Sequence, residues 1–387
     1  MNLNLHHELV GYYEVGGKRY DNKWDAMLHA TQLNTTYTWD FAPEIFSKIN
    51  WALPIEFSLD DLYRMRLQQL RAKYDHLVLF FSGGKDSLNI LMTAINNNIF
   101  IEEIVVYYPF AMEKYFNNKE LDSDNVYSEV EYAAKPILKL LENKLDKRTK
   151  IRFQDIGETT AKFHDNADWF DRIKPANTLQ MVSPSYGGAC DVELIKLALS
   201  GKSVGVITGA DKPTIKEING AFYFVFVDAS FNVIPRPGSK EMKSQYDFIQ
   251  YEAFYQTPEL PELVVKQAQV AARAYDSDIV LRNLEKSILD HNTYISEKER
   301  MIAKYIYSDG ITPWQTKKHK KHLHRRGEKV VFQILTNTQK DNYLNGVKSI
   351  VKNINNKFFT NGDYMMGPIP ILSKPYFIQH ATYKEMK

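Results

Sequence analysis

The chain has 387 residues, a net charge of +2 and 44% hydrophobic residues, room for one large domain with additions or for two domains of ordinary globular balance. The near-neutral charge excludes a global attraction to nucleic acid, and the single cysteine, Cys190, excludes an internal disulfide and any multi-cysteine zinc site within one chain. No run of about 18 apolar residues occurs, and Met1–His7 lacks a basic stretch followed by an apolar one. Neither a membrane span nor a secretory signal is therefore expected, and a cytoplasmic setting is.

Residues 1–57 read as a small α/β preface. Leu9–Val15 and Lys18–Tyr20 suggest a hairpin around Gly16-Gly17, and Asn22–Leu33 reads as a short helix. Ser58 is placed as an N-cap, with Asp61 in the capping-box position normally held by Glu or Gln. The helix it starts runs through Leu62, Met65, Leu67 and Leu70 toward Lys73.

Leu77–Phe81 is apolar and strand-like, and it stops at Ser82-Gly83-Gly84-Lys85-Asp86-Ser87. Helix-type sequence, Leu88–Ala94, follows at once. A strand feeding a Gly-rich turn that opens a helix builds an anion site from backbone: several N–H groups converge and the helix N-terminus adds its positive dipole end. Gly83 and Gly84 reach backbone angles closed to other residues and allow close approach of a phosphate. A Walker A loop is excluded, because Lys85 is followed by Asp86 and no glycine stands five positions before Gly84; a G-x-G-x-x-G fingerprint is absent too.

The six residues match the S-G-G-x-D-S signature, and the chain resembles the PP-loop, or N-type, ATP pyrophosphatases of the adenine nucleotide α-hydrolase-like superfamily. That resemblance implies binding of ATP with Mg²⁺, cleavage between the α- and β-phosphates, release of pyrophosphate and transfer of AMP to an acceptor oxygen, from which a nitrogen or sulfur nucleophile displaces it. It also implies that Ser82, Gly83, Gly84 and Ser87 hold the pyrophosphate end and that Asp86 binds Mg²⁺, directly or through water. Mg²⁺ suits such a place, being a hard cation held by a few carboxylates plus substrate phosphates. Lys85, at the variable position, either adds charge to the phosphates or points to solvent.

Glu103–Tyr108 reads as a second strand, Val126–Leu145 has helical spacing, Lys150–Gln154 reads as a third strand, Cys190–Leu199 as a helix and Ser203–Thr208 as a fourth strand. The alternation argues for an α/β fold with a doubly wound parallel sheet, whose ligands sit beyond the carboxyl ends of the strands at a switch point. Thr208-Gly209-Ala210-Asp211-Lys212-Pro213 belongs on that edge and resembles the second PP-loop region, a Gly-led turn with an acidic residue near the reacting phosphate. On this resemblance Gly209 joins the nucleotide-binding set, Asp211 shares the Mg²⁺, and Lys212 neutralises charge developing on the phosphates. The plain alternative is a βα turn with a polar tip.

Val182–Asp191 is another Gly-rich turn before a helix, suited to close over adenine, ribose or substrate. Cys190 within it is either a buried, inert thiol or, at a helix start, an activated one. The sulfonucleotide (PAPS) reductases, which share the PP-loop fold, use a cysteine near the chain end in a Glu-Cys-Gly-type motif, and Cys190 matches neither feature.

Ala221–Val227 reads as an apolar strand, and a helix is expected from Glu262 to about Tyr275, with Pro261 in its first turn. Residues 231–387 are read as a mainly helical region facing substrate or partner. Within them Lys317, Lys318, Lys320, Lys321, Arg325 and Arg326 form a basic cluster suited to a nucleic-acid backbone, or simply a solvated face. His319, His322 and His324 could by count hold a metal, against the repulsion of the interleaved cations.

The organisation expected is thus 1–57, preface; 58–230, ATP-binding PP-loop domain; and 231–387, addition. The function expected is an AMP-forming, ATP-dependent enzyme with Lys85, Asp86, Asp211 and Lys212 as its chemical groups. The alternatives are a sulfonucleotide reductase-like enzyme and a non-catalytic, ATP-dependent nucleic-acid-binding protein. Asn2 stands where an asparagine-synthetase-type glutaminase domain would begin with cysteine, so ammonia would be free or come from a partner. The cysteine pairs of many tRNA thiolases and the zinc cysteines of deazapurine synthases are missing. The chain resembles uncharacterised PP-loop proteins of the kind large phages carry; no motif names the acceptor, and a homo-oligomer is compatible with the sequence.

Overall fold

A computed structural model describes residues 11–108, 130–155, 157, 161–162, 164–168, 191–209, 212–231, 249–286, 301–307, 335–363 and 367–382. The preface forms an antiparallel sheet, with β1 (Tyr12–Val15) between β2 (Lys18–Tyr20) and β3 (Thr38–Asp40). Helix α1 (Lys23–Gln32) is capped by Asn22, whose side-chain oxygen accepts from the Trp24 N–H at 2.8 Å. A short α2 (Pro43–Phe46) follows.

Helix α3 (Leu59–Lys73) starts where expected, with Ser58 Oγ accepting from the Asp61 N–H at 3.1 Å. Asp61 is one methylene shorter than the glutamate of a capping box, and here it accepts from the Ser58 hydroxyl at 2.6 Å.

The rest of the chain runs β4 (His76–Phe80), α4 (Lys85–Asn96), β5 (Glu103–Tyr108), α5 (Lys135–Leu141), β6 (Lys150–Asp155), α6 (Val192–Leu199) and β7 (Val204–Thr208). After these come β8 (Thr214–Ile218), β9 (Ala221–Val225), β10 (Ile249–Ala253), α7 (Pro261–Ser277), α8 (Ile279–Lys286), α9 (Asn337–Val351) and β11 (Tyr376–His380). Five strands form one parallel sheet in the order β10-β7-β4-β5-β6. The fold is α/β, as the alternation of elements implied. The central β4 and β7 are mainly apolar and, apart from His76 at the start of β4, buried, as parallel strands covered on both faces must be. Helix α3 packs on α4 and α7, while α6 packs on β7 and β10.

The described residues of 231–387 carry more helix than strand, in α7, α8 and α9, and they also contribute a strand to each of two sheets, which was not expected. They supply β10, the fifth strand of the parallel sheet, and β11, which pairs antiparallel with β9 beside β8. Strand β10 escaped the apolar-run criterion because it carries Gln250 and Glu252. Glu252 is buried in the sheet with its charge met by Arg66 and Lys73 of α3, at 2.9 and 2.7 Å, and by the Tyr74 hydroxyl.

The preface shares its core with the β11-β9-β8 sheet. Trp51 stacks on Tyr376 at 4.7 Å between ring centroids, and Phe41 meets Phe226 edge-on at 4.9 Å. Among the described residues no helix is long and apolar enough to cross a membrane.

Candidate functional site

Strand order reverses between β4 and β7: β5 and β6 follow on one side of β4, β7 and β10 lie on the other. The crevice at the carboxyl ends of these two strands is where open α/β sheets bind ligands. Both turns singled out in the sequence leave from it, Ser82–Ser87 after β4 and the Gly209 turn after β7.

The first turn is closed by its own serines. Ser82 Oγ accepts from the Gly84 N–H at 3.2 Å, the Ser82 N–H points to Ser87 Oγ at 3.4 Å, and the Ser87 hydroxyl donates to the Gly84 carbonyl at 3.1 Å. Ser87 is buried, whereas Ser82 and Gly84 are exposed. The two glycines have different duties. Gly83 takes a left-handed φ of +77° and lies under the backbone of residues 133–134. Gly84 has ordinary extended angles and is the N-cap of α4, with no side chain capping that helix. A Cβ on it would meet only Ser82 Oγ, at 3.2 Å. The exposed face of the turn is therefore Gly84, and Gly83 serves packing. Lys85 is half-buried at the first position of α4.

Asp86 is the convergence point. Lys212 Nζ donates to its Oδ2 at 2.8 Å, the Tyr307 hydroxyl donates to its Oδ1 at 2.7 Å, and the Tyr255 hydroxyl donates to its carbonyl oxygen at 2.8 Å. Asn89, one turn along α4, donates to Tyr255 Oη at 3.1 Å. Gly209 closes the rear: a Cβ there would stand 3.1 Å from Asp86 C, Asp86 Cβ and Ser87 N. Burial first, and the Asp86 charge second, push the hydroxyls of Tyr255 and Tyr307 well above the ordinary tyrosine range. Both remain protonated donors.

Asp86, Lys212 and Gly209 are thus brought together from the two motifs, with Ser82, Gly83, Gly84, Lys85 and Ser87 on the same turn. Asp211 lies outside the described residues. So do Cys190 with most of the Val182–Asp191 turn, and the basic cluster Lys317, Lys318, Lys320, Lys321, Arg325 and Arg326 with its histidines. Tyr255 and Tyr307 carry no sequence signal. Tyr255 follows a strand whose polar residues hid it, and Tyr307 lies 221 residues from the aspartate it touches.

The residues fit a magnesium-bound polyphosphate. A carboxylate offers about four lone-pair directions; Lys212 and Tyr307 occupy one on each Asp86 oxygen. The first N–H groups of α4 have no side-chain cap, and Lys212 brings a cation. Among the described residues no group of three His, Cys, Asp or Glu side chains converges as a metal cage. A hard cation would rest on Asp86, phosphate oxygens and water, its usual mode for Mg²⁺.

No protein-family model matches this chain. No curated protein matches it either.

Proposed function

We propose that the chain binds ATP with Mg²⁺ on Ser82–Ser87, in a sheet of the PP-loop, Rossmann-like type, and cleaves the α–β phosphate bond as an N-type ATP pyrophosphatase. The observation that carries this is the ion pair between Asp86 of the S-G-G-x-D-S turn and Lys212 of the second turn, at 2.8 Å across the reversal of strand order. The Gly84 backbone and the first turn of α4 hold the pyrophosphate end, since an uncapped helix N-terminus binds anions. Asp86 holds the cation. Lys212, released from part of its pairing by the incoming positive charge, turns to the oxygens on which charge grows as the bond breaks. Bound Mg²⁺ supplies Lewis-acid polarisation of the phosphates. The AMP goes to an acceptor oxygen, for displacement by a nitrogen or sulfur nucleophile.

The test is incubation of the protein with α-labelled ATP, Mg²⁺ and fractionated small molecules and nucleic acids from the host cell. Fraction-dependent AMP and pyrophosphate are expected, lost in Asp86→Asn and reduced about 100-fold or more in Lys212→Met, the scale of one lost transition-state contact. ADP as the product would overturn the proposal, and ATP binding without turnover in any fraction would point to the sensor alternative.

A further inference from the structure

Tyr307 reaches the crevice from a remote part of the chain and is held there by several contacts. Its ring is 8% exposed and lies 5.4 Å from the Tyr255 ring and 6.3 Å from the Tyr63 ring, centroid to centroid. The segment that carries it, 301–307, is seated through Ile302, Ala303 and Ile306, all buried. Its carbonyl at Ile306 accepts from the Tyr63 hydroxyl of α3, and Tyr63 Oη in turn accepts from Gln267 of α7 at 3.0 Å. A tyrosine anchored on two helices could have spent its hydroxyl on any backbone carbonyl. It spends it on one oxygen of the Asp86 carboxylate, opposite the oxygen met by Lys212.

We infer that Tyr307 is a positioning residue for Asp86: its hydroxyl fixes the carboxylate so that the unused lone pairs are set for the cation before it arrives. A ligand carboxylate held by an outer hydrogen bond loses less freedom on binding metal, and removing such a bond typically costs 10–100-fold in metal affinity. The inference rests on the nucleotide site proposed above. It gives the 301–307 segment a role in metal affinity that packing alone would not.

The experiment uses the full chain and a non-hydrolysable α,β-methylene analogue of ATP. Analogue affinity without metal, Mn²⁺ affinity at saturating analogue, and thermal unfolding are measured for the native protein, Asp86→Asn and Tyr307→Phe. Tyr307→Phe keeps the ring and its packing; it should weaken Mn²⁺ about tenfold with metal-free analogue affinity unchanged within twofold. Tyr307→His replaces the hydroxyl by a ring N–H donor; it should fall between the native protein and Tyr307→Phe, and it carries the test if Tyr307→Phe does not fold. Mn²⁺ affinity within twofold of native in the folded variants overturns the inference, as does an equal loss with and without metal, which would mark Tyr307 as structural. Failure of the nucleotide site looks different: native protein that binds no analogue, or Asp86→Asn with undiminished Mn²⁺ affinity, removes both proposals together.

Discussion

Gly83 is roofed by Ala134. A Cβ at residue 83 would stand 2.6 Å from the Ala134 nitrogen and 2.8 Å from Ala133 Cβ, at a backbone φ of +77°. The two adjacent glycines of the turn should therefore respond oppositely to alanine. Gly83→Ala combines a left-handed backbone with a clash against main chain and should cost about 2–4 kcal/mol in denaturant unfolding. Gly84→Ala should cost less than about 1 kcal/mol, as surface substitutions do, yet weaken nucleotide binding, because Gly84 is the open face. Equal stability losses in the two variants would contradict this division.

Gly209→Ala tests the contact between the two turns. Its Cβ would press at 3.1 Å on Asp86 and on the Ser87 nitrogen, where neither can retreat without shifting the start of α4. Overpacking of this kind costs about 1–3 kcal/mol. The displaced Asp86 should also lower metal-dependent ATP affinity, readable by calorimetry with and without Mg²⁺.

The Arg66–Glu252 pair ties α3 to β10 with both side chains fully buried. Arg66→Met should cost about 3–5 kcal/mol, since it leaves a buried carboxylate short of its partner. Glu252 keeps Lys73 and the Tyr74 hydroxyl, so the loss should sit at the low end of that range. The double variant Arg66→Met with Glu252→Gln should recover part of it in urea unfolding.

Acid should loosen the sheet through Glu103. Burial alone would raise its carboxyl, but the His76 hydrogen bond and the Arg152 guanidinium, at 3.3 and 3.0 Å, outweigh burial and hold it below its ordinary 4.5. An acid that binds its proton less readily when folded contributes full stability above its unfolded pKa. That contribution fades as pH falls through the lower folded value. Unfolding midpoints followed from about pH 6 down to about pH 3 should drop less steeply in Glu103→Gln than in the native chain.

Where one residue type carried one duty, the sequence was informative. The apolar runs of β4 and β7, the Ser58 cap and the paired glycines after β4 each announce their structure locally. Strand β10 was hidden because its burial depends on a guanidinium from α3, a compensation that no local pattern records. The aspartate and lysine of the site belong to recognisable turns. The hydroxyls that hold the aspartate do not, for Tyr255 and Tyr307 look like ordinary core aromatics until the fold points them at one carboxyl residue. Gly83 and Gly84 look equivalent in sequence and are separated only by what lies above each.

The Lys23–Asp228 pair, 2.7 Å apart with both side chains buried, bears on how the chain acquires its structure during synthesis. Asp228 also accepts from the Tyr13 hydroxyl at 2.8 Å and the Ile371 N–H at 2.9 Å, while Lys23 donates to the Ile369 carbonyl at 2.6 Å. Residues near 13, 23, 228 and 370 thus satisfy one another's polar groups, and none can do so alone. The preface, although translated before these partners, completes the pairing of its lysine only after Asp228 and Ile369 have left the ribosome. Such far-apart pairings make closure slow, so the paired strands β4 and β7 can form on the nascent chain before the preface is sealed against the β11-β9-β8 sheet.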